Sequence, residues 1–255
     1  MKSSAAVFSL SVLLVLFLSI GFPVAGQSSV ELSAEEIITR LEENQTHETS
    51  RVVGRMVIHD QFGRRTSTFV MYTRGSDDAL VEFTSSDEAG QKVLRTEDEI
   101  YLFYPDASEL IRLQGSALRQ SMLGSDVSYE DMTGNKSFLD NYDVELAGTE
   151  RVSGTRCYVV EVEATSRDVA YPRQTLWIDT EDFALRKAEQ YALSGRLLKV
   201  MSVQELMRQD DKVFPSHIVV EDQLKQDTST EFIIEEAEIG VDLPPRIFSV
   251  EELTW

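Results

Sequence analysis

From residue 51 onward the chain alternates. Val52, Gly54, Met56 and Ile58 stand at every second position, interleaved with Arg51, Val53, Arg55 and Val57. Successive side chains of a strand point to opposite faces, so a period of two specifies a strand with two distinct faces. Similar short runs recur at 66–72, 79–83, 92–95, 100–104 and 110–113, then at 142–146, 157–164, 175–179, 185–191, 197–205, 217–224 and 230–239. Turn residues separate many of them, including Gln61-Phe62-Gly63, Arg74-Gly75-Ser76-Asp77-Asp78, Ser153-Gly154, Thr180-Glu181-Asp182 and Ser194-Gly195. Glycine and aspartate supply positive φ and local side-chain bonding at such places. Ten or more short strands joined by tight turns predict one mainly β domain, whose antiparallel sheet must curl or close to manage its edges.

Two segments interrupt this rhythm. Before the first strand, Ser33 and Glu36 have capping-box spacing, and Ile37, Ile38 and Leu41 form a helical apolar stripe that ends near Asn44. In the middle, 116–123 has helical composition, with Leu118, Met122 and Leu123 apolar, and a polar stretch runs from Gly124-Ser125-Asp126 to Lys136. A long break inside a regular sheet more often makes a lid or binding loop than a plain connector. Gly115 and Gly124 flank the apolar part and are expected to be its hinges. Leu243-Pro244-Pro245 stops the sheet, and Phe248, Val250 and Leu253 are expected to pack back on it.

The N-terminus predicts the compartment. Lys2, an apolar run over 7–22, Pro23, and then Val24, Ala25 and Gly26 follow the order of a secretory signal peptide. The run is short for a spanning helix, which needs roughly 20 residues. Residues 1–26 are therefore expected to be removed, leaving 27–255 as one domain. No cysteine follows the apolar run, so the attachment site of an exported lipoprotein is missing and a mobile periplasmic monomer is expected. Cys157, the single cysteine, lies in the apolar run Cys157-Tyr158-Val159-Val160, where a buried thiol acts as a small hydrophobe. The formal charge is −20, and loss of Lys2 makes it −21 (−20 − 1). Such a field opposes binding to nucleic acid and to anionic membrane surfaces.

Chemistry-bearing patterns are scarce. His47, His59 and His217 have no ligand-spaced partners, and one cysteine makes no zinc pattern. Asp140-Asn141-Tyr142-Asp143 lacks the glycine and terminal glutamate of a calcium loop. There is no Gly-x-Ser-x-Gly elbow and no glycine-rich phosphate loop. Neighbouring carboxylates such as Glu97, Asp98 and Glu99 are expected by chance in a chain with 44 acids. Asn44-Gln45-Thr46 and Asn135-Lys136-Ser137 fit the short glycosylation pattern and are read as coincidence. The expectation is no catalytic residue, no metal and no cofactor.

What stands out is apolar inventory. Residues 100–104 and Leu176-Trp177-Ile178 are apolar on both faces. Either the sheet is covered on both sides, or its concave side is a cavity suited to an acyl chain. Alternation and the lid reading give the candidate lipid contacts: Met56, Ile58, Phe69, Met71, Val81, Phe83, Leu102 and Tyr104 on strands, with Leu118, Met122 and Leu123 on the lid. Arg112 and Arg119 are either surface residues or contacts for an anionic headgroup.

The segments Tyr101-Leu102-Phe103-Tyr104-Pro105, Leu110-Ile111-Arg112-Leu113 and Met122-Leu123-Gly124-Ser125-Asp126-Val127-Ser128-Tyr129-Glu130-Asp131-Met132 resemble the bacterial outer membrane lipoprotein-sorting family, related to the periplasmic carrier LolA. The resemblance implies an incomplete, curved antiparallel β-barrel with helices plugging its mouth. It also implies a non-catalytic role in carrying lipid or lipoprotein acyl chains across the periplasm. An inner-membrane transporter and an outer-membrane acceptor would be the partners. The rival reading is an exported assembly module that uses the same sheet to bind a transporter without carrying lipid.

Overall fold

A computed structural model of the chain describes residues 32–96, 99–133, 138–166 and 169–254. The expected signal peptide over 1–26 lies outside the described residues, as do Glu97, Asp98 and Asn135. Within residues 32–254 the chain forms helix α1 (Ala34–Gln45) and then six strands: β1 (Thr49–Asp60), β2 (Gly63–Arg74), β3 (Asp78–Phe83), β4 (Lys92–Thr96), β5 (Glu99–Tyr104) and β6 (Glu109–Leu113). Two 3-10 turns (Gly115–Arg119, Met122–Gly124) and two short helices, α2 (Tyr129–Thr133) and α3 (Phe138–Asn141), follow. Seven strands complete the sheet: β7 (Tyr142–Val152), β8 (Thr155–Ala164), β9 (Arg173–Asp179), β10 (Leu185–Tyr191), β11 (Leu197–Gln209), β12 (Lys212–Asp222) and β13 (Ser229–Ile239).

All thirteen strands belong to one sheet, in the order β6-β5-β4-β3-β2-β1-β13-β12-β11-β10-β9-β8-β7. Every pairing is antiparallel. The first strand pairs with the last, which leaves β6 and β7 as the two edges. The sheet is thus a barrel that does not close, and the 114–141 segment leads from one open edge to the other. Beyond their expected ends, β7 runs on to Val152 and β11 to Gln209, and β12 begins at Lys212 rather than 217. Pro215 explains the last difference. It opposes Leu206 at a register shift, one of the few places where a residue without an N–H fits a sheet.

Register fixes the faces. Ile58, Thr230, Val220, Met201, Ala188, Leu176, Val160 and Leu146 form one lateral row across eight strands. One half of this inner face is covered by α1. Its Ser33 cap and Glu36 make the expected capping box, at 3.2 and 2.8 Å. Ile37, Ile38 and Leu41 are buried against Val160, Val162, Leu176 and Ile178. The Asn44 amide donates to the Asp182 carbonyl at 2.6 Å and accepts from Val213 N–H at 3.2 Å, so this side chain anchors the helix end.

The strands that are apolar on both faces are covered on both. On β5, Ile100 and Leu102 face inward, while Tyr101 and Phe103 face Phe248 and Leu253 of the C-terminal 3-10 turns (Pro245–Phe248, Glu251–Thr254). Arg74 stacks over the Phe248 ring at 4.8 Å. On the outer face of β8 and β9, buried Cys157 packs with Val159 and Trp177, and burial pushes its thiol pKa up. Lys187 lies 4.4 Å from the Trp177 ring centroid and covers it.

Candidate functional site: an apolar layer beneath a latched segment

The other half of the inner face, β1 to β5, is covered by the interrupting segment. The strand register aligns Met71 with Val81, Val81 with Val93, and Val93 with Leu102, so their side chains share one face. All eleven candidate side chains come together in one cluster. Met56, Ile58, Phe69, Val81, Phe83, Leu102 and Met122 are buried, and Met71, Tyr104, Leu118 and Leu123 pack against them. Met122 has no exposed surface, although it belongs to a segment with little regular structure. Where composition predicts a helix over 116–123, two separate 3-10 turns form instead. Ser121 breaks them apart by bridging to Ser128, and the Met122 N–H donates to the Val127 carbonyl at 2.8 Å. The expected hinges Gly115 and Gly124 have φ of +56° and +75°, and Leu123 shares the left-handed region at +52°.

The Gly124-Ser125-Asp126-Val127-Ser128-Tyr129-Glu130-Asp131 stretch is the device that holds this segment down. Asp126 is buried; its carboxylate accepts from the Thr228 hydroxyl at 2.7 Å and the Thr230 hydroxyl at 3.1 Å. Lys225 donates to the Ser125 carbonyl at 2.5 Å and lies 3.4 Å from the Asp126 carboxylate. Arg65 donates to the Leu123 carbonyl at 3.4 Å. Ser128 and Asp131 then exchange side-chain to backbone bonds at 2.9 and 3.1 Å, the reciprocal arrangement that starts a helix, here α2.

A second latch joins α2 to the far half of the sheet. The Asp131 carboxylate accepts from Lys199 on β11 at 2.5 Å and from the Tyr171 hydroxyl at 2.8 Å, and Lys199 lies 5.4 Å from the Tyr171 ring. Lys199 and Asp131 are 12% and 14% exposed, so solvent screens this pair far less than a surface pair. Burial pushes the Glu130 carboxyl up, with Arg119 and Lys199 opposing. Burial, reinforced by a bond to Tyr104, pushes the Tyr129 hydroxyl up.

A family model described as an uncharacterized protein matches residues 75–255. The chain belongs to that family. No curated protein matches its sequence. Solved structures share its fold: a DUF1329 family protein from Desulfovibrio piger aligns with a TM-score of 0.80 and 24% identity over 86% of this chain and 97% of that one. A domain provisionally described as an outer membrane lipoprotein-sorting protein, from Vibrio parahaemolyticus, gives 0.78 and 19% over 88% and 98%. A LolA superfamily protein from Nitrosomonas europaea gives 0.74 and 25% over 87% and 100%. The fold is LolA-like, an open antiparallel barrel, as the motifs around 101–132 imply.

Elsewhere in this LolA-like fold the two arginines are engaged. Arg112 pairs with Glu99, and Arg119 donates to the Val169 carbonyl at 3.1 Å. Two histidines that are distant in sequence do meet. His59 and His217 contact the two oxygens of Glu231 at 2.9 and 2.8 Å, and these bonds hold its carboxyl pKa down. His59 on β1 and His217 on β12 flank β13, which carries Glu231, and they meet there only because β1 pairs with β13, so spacing could not reveal them. Among the described residues no group of histidine, cysteine and carboxylate is arranged to hold a metal ion. Sequence reasoning also missed Lys199 and Tyr171, whose local contexts carry no signal of Asp131.

Proposed function

We propose that this chain is a non-catalytic carrier that shields lipid or lipoprotein acyl chains in the periplasm and moves them toward the outer membrane. The observation behind this reading is that one continuous apolar layer, Met56 to Leu123, is roofed by a non-strand segment held by polar latches rather than by sheet pairing. Lifting the roof exchanges Met122 and Leu118 for a cargo chain. Each buried methylene contributes roughly 0.8 kcal/mol, so an acyl chain in place of those side chains offsets the cost of opening. Polar latches suit reversible release, because water replaces their bonds when they part. The lipoprotein-sorting description of a similar structure agrees with this reading. Residues 1–26 as a cleaved signal peptide would place the protein in the periplasm as a monomer, between an inner-membrane donor and an outer-membrane acceptor.

The close packing of Met56, Val81 and Met122, all without exposed surface, favours the second reading, an assembly module with a filled core. Native mass spectrometry of protein purified from its own periplasm separates the two. Carriage predicts bound lipid or acylated peptide, whereas consistently empty protein overturns it.

A further inference from the structure

Among the described residues five large apolar side chains are exposed, and the three most exposed are Phe62 at 88%, Leu193 at 74% and Leu224 at 52%. Each occupies the tip of a hairpin. Phe62 joins β1 to β2, Leu193 joins β10 to β11, and Leu224 joins β12 to β13. Register puts all three tips at one end of the sheet: Asp60 pairs with Gly63, His59 with Ser229, and Lys199 with Asp222. The six strands involved are consecutive neighbours, β2-β1-β13-β12-β11-β10. Strands lie about 4.8 Å apart, so adjacent tips are about 10 Å apart and the row extends about 20 Å.

Charge at these tips departs from the rest of the chain. Residues 60–65, 191–197 and 222–229 hold four cations (Arg64, Arg65, Arg196, Lys225) against three acids, where the whole chain has 24 against 44. Two of those acids are used by their own turns: Asp60 accepts from Phe62 N–H and Asp222 from Leu224 N–H, each at 2.8 Å. Every tip therefore carries one exposed apolar side chain and at least one basic one. A pocket-binding protein partner would favour a contiguous patch. Separated apolar points with cations at the same level instead match a bilayer surface, where the apolar group enters the interfacial layer and the cation meets lipid phosphate. The acids elsewhere do not prevent this, because screening confines their field to about 8 Å at physiological salt.

We propose that this row of hairpin tips docks the protein on a phospholipid surface. The same tips hold the latched segment, Lys225 through Ser125 and Asp126 and Arg65 through Leu123. On the carrier reading, on which this last step rests, a lipid phosphate that draws Lys225 away loosens the roof where cargo must pass.

Flotation of the mature chain with phosphatidylethanolamine vesicles doped with phosphatidylglycerol tests the docking. The wild-type chain should float, and the combined variant F62S/L193S/L224S should bind at least about tenfold more weakly. R64E/R196E should weaken binding as well, and added salt should weaken the wild type. These positions are exposed, and circular dichroism should show the variants folded. Equal flotation of the triple variant overturns the proposal. So does a wild type that does not float, including one whose tips are needed only to capture a membrane protein in detergent. The tips do not line the apolar layer, so F62S/L193S/L224S should still co-purify with lipid. Loss of flotation with cargo retained separates docking from carriage, and an empty wild type that floats sinks carriage alone.

Discussion

Asp126 and Thr230 lie 104 residues apart and bond each other twice. The Asp126 N–H donates to the Thr230 hydroxyl oxygen at 2.9 Å, and that hydroxyl donates back to the Asp126 carboxylate at 3.1 Å. Both residues are buried, Thr230 on the sheet's inner face between β1 and β12. The pair ties the roof to the strand on which the two halves of the sheet meet.

D126A should free the roof. The substitution removes the carboxylate that accepts from the Thr228 and Thr230 hydroxyls and faces Lys225, at a cost of about 1–3 kcal/mol for each buried donor left without an acceptor. Hydrogen exchange should accelerate over 121–128 by one to two orders of magnitude, while β8 and β9 keep their protection. Uniform acceleration through the sheet would refute a local latch.

Acidification should tighten the seating of α2. Burial raises the folded-state Glu130 pKa above its ordinary 4.5. The folded protein therefore holds this proton more firmly than the unfolded chain, and the associated stability is fully present below the ordinary value and fades as pH rises through the raised one. Thermal melts from pH 4 to 8 should show E130Q with a higher Tm than wild type at pH 7 and little difference at pH 4. A wild type that outlasts E130Q at pH 7 would contradict the sign.

Two core truncations should separate stability from carriage. M122A under the roof and F248A on the outer face should cost about 2–5 and 3–5 kcal/mol respectively in denaturant unfolding. Only M122A touches the apolar layer, so only M122A should change the affinity for a fluorescent fatty acid. Equal changes in both would place the ligand elsewhere.

Gly54 has no room for a side chain. A Cβ there would sit 2.7 Å from the Ile233 carbonyl oxygen and 3.0 Å from the Phe69 ring, at the register shift between β1 and β13. The carbonyl belongs to a strand and cannot step aside cheaply, so G54A should lower stability by about 1–3 kcal/mol. An unchanged melting temperature would show that the central pairing is looser than its geometry.

Much of the interior is legible before folding. Alternation places Phe69 with Met71, and Val81 with Phe83, on a common face of their own strands, because period-two geometry is local. The Ser33 and Glu36 box marks α1 for the same reason. The 116–123 run misleads because helical composition in eight residues does not outweigh a positive-φ glycine at each end and a bridge from Ser121 to Ser128. His59, His217 and Glu231 illustrate the other limit: each reads as an isolated polar residue until β12, β13 and β1 are set side by side.

The sequence by itself determined the strands, most of their turns, the faces of each strand and the break in the middle, since these follow from backbone geometry and side chains a few positions apart. Only the tertiary structure decided that β1 pairs with β13, and hence that residues 121–131 lie over the inner face where Thr230 and Lys199 hold them. It also decided that α1 covers the inner face at β8 and β9 while the C-terminal turns cover the outer face at β3 and β4. The cause is physical: a strand's alternation states that it has two faces, but which distant segment buries each face depends on the free energy of contacts that form only when the whole sheet is assembled.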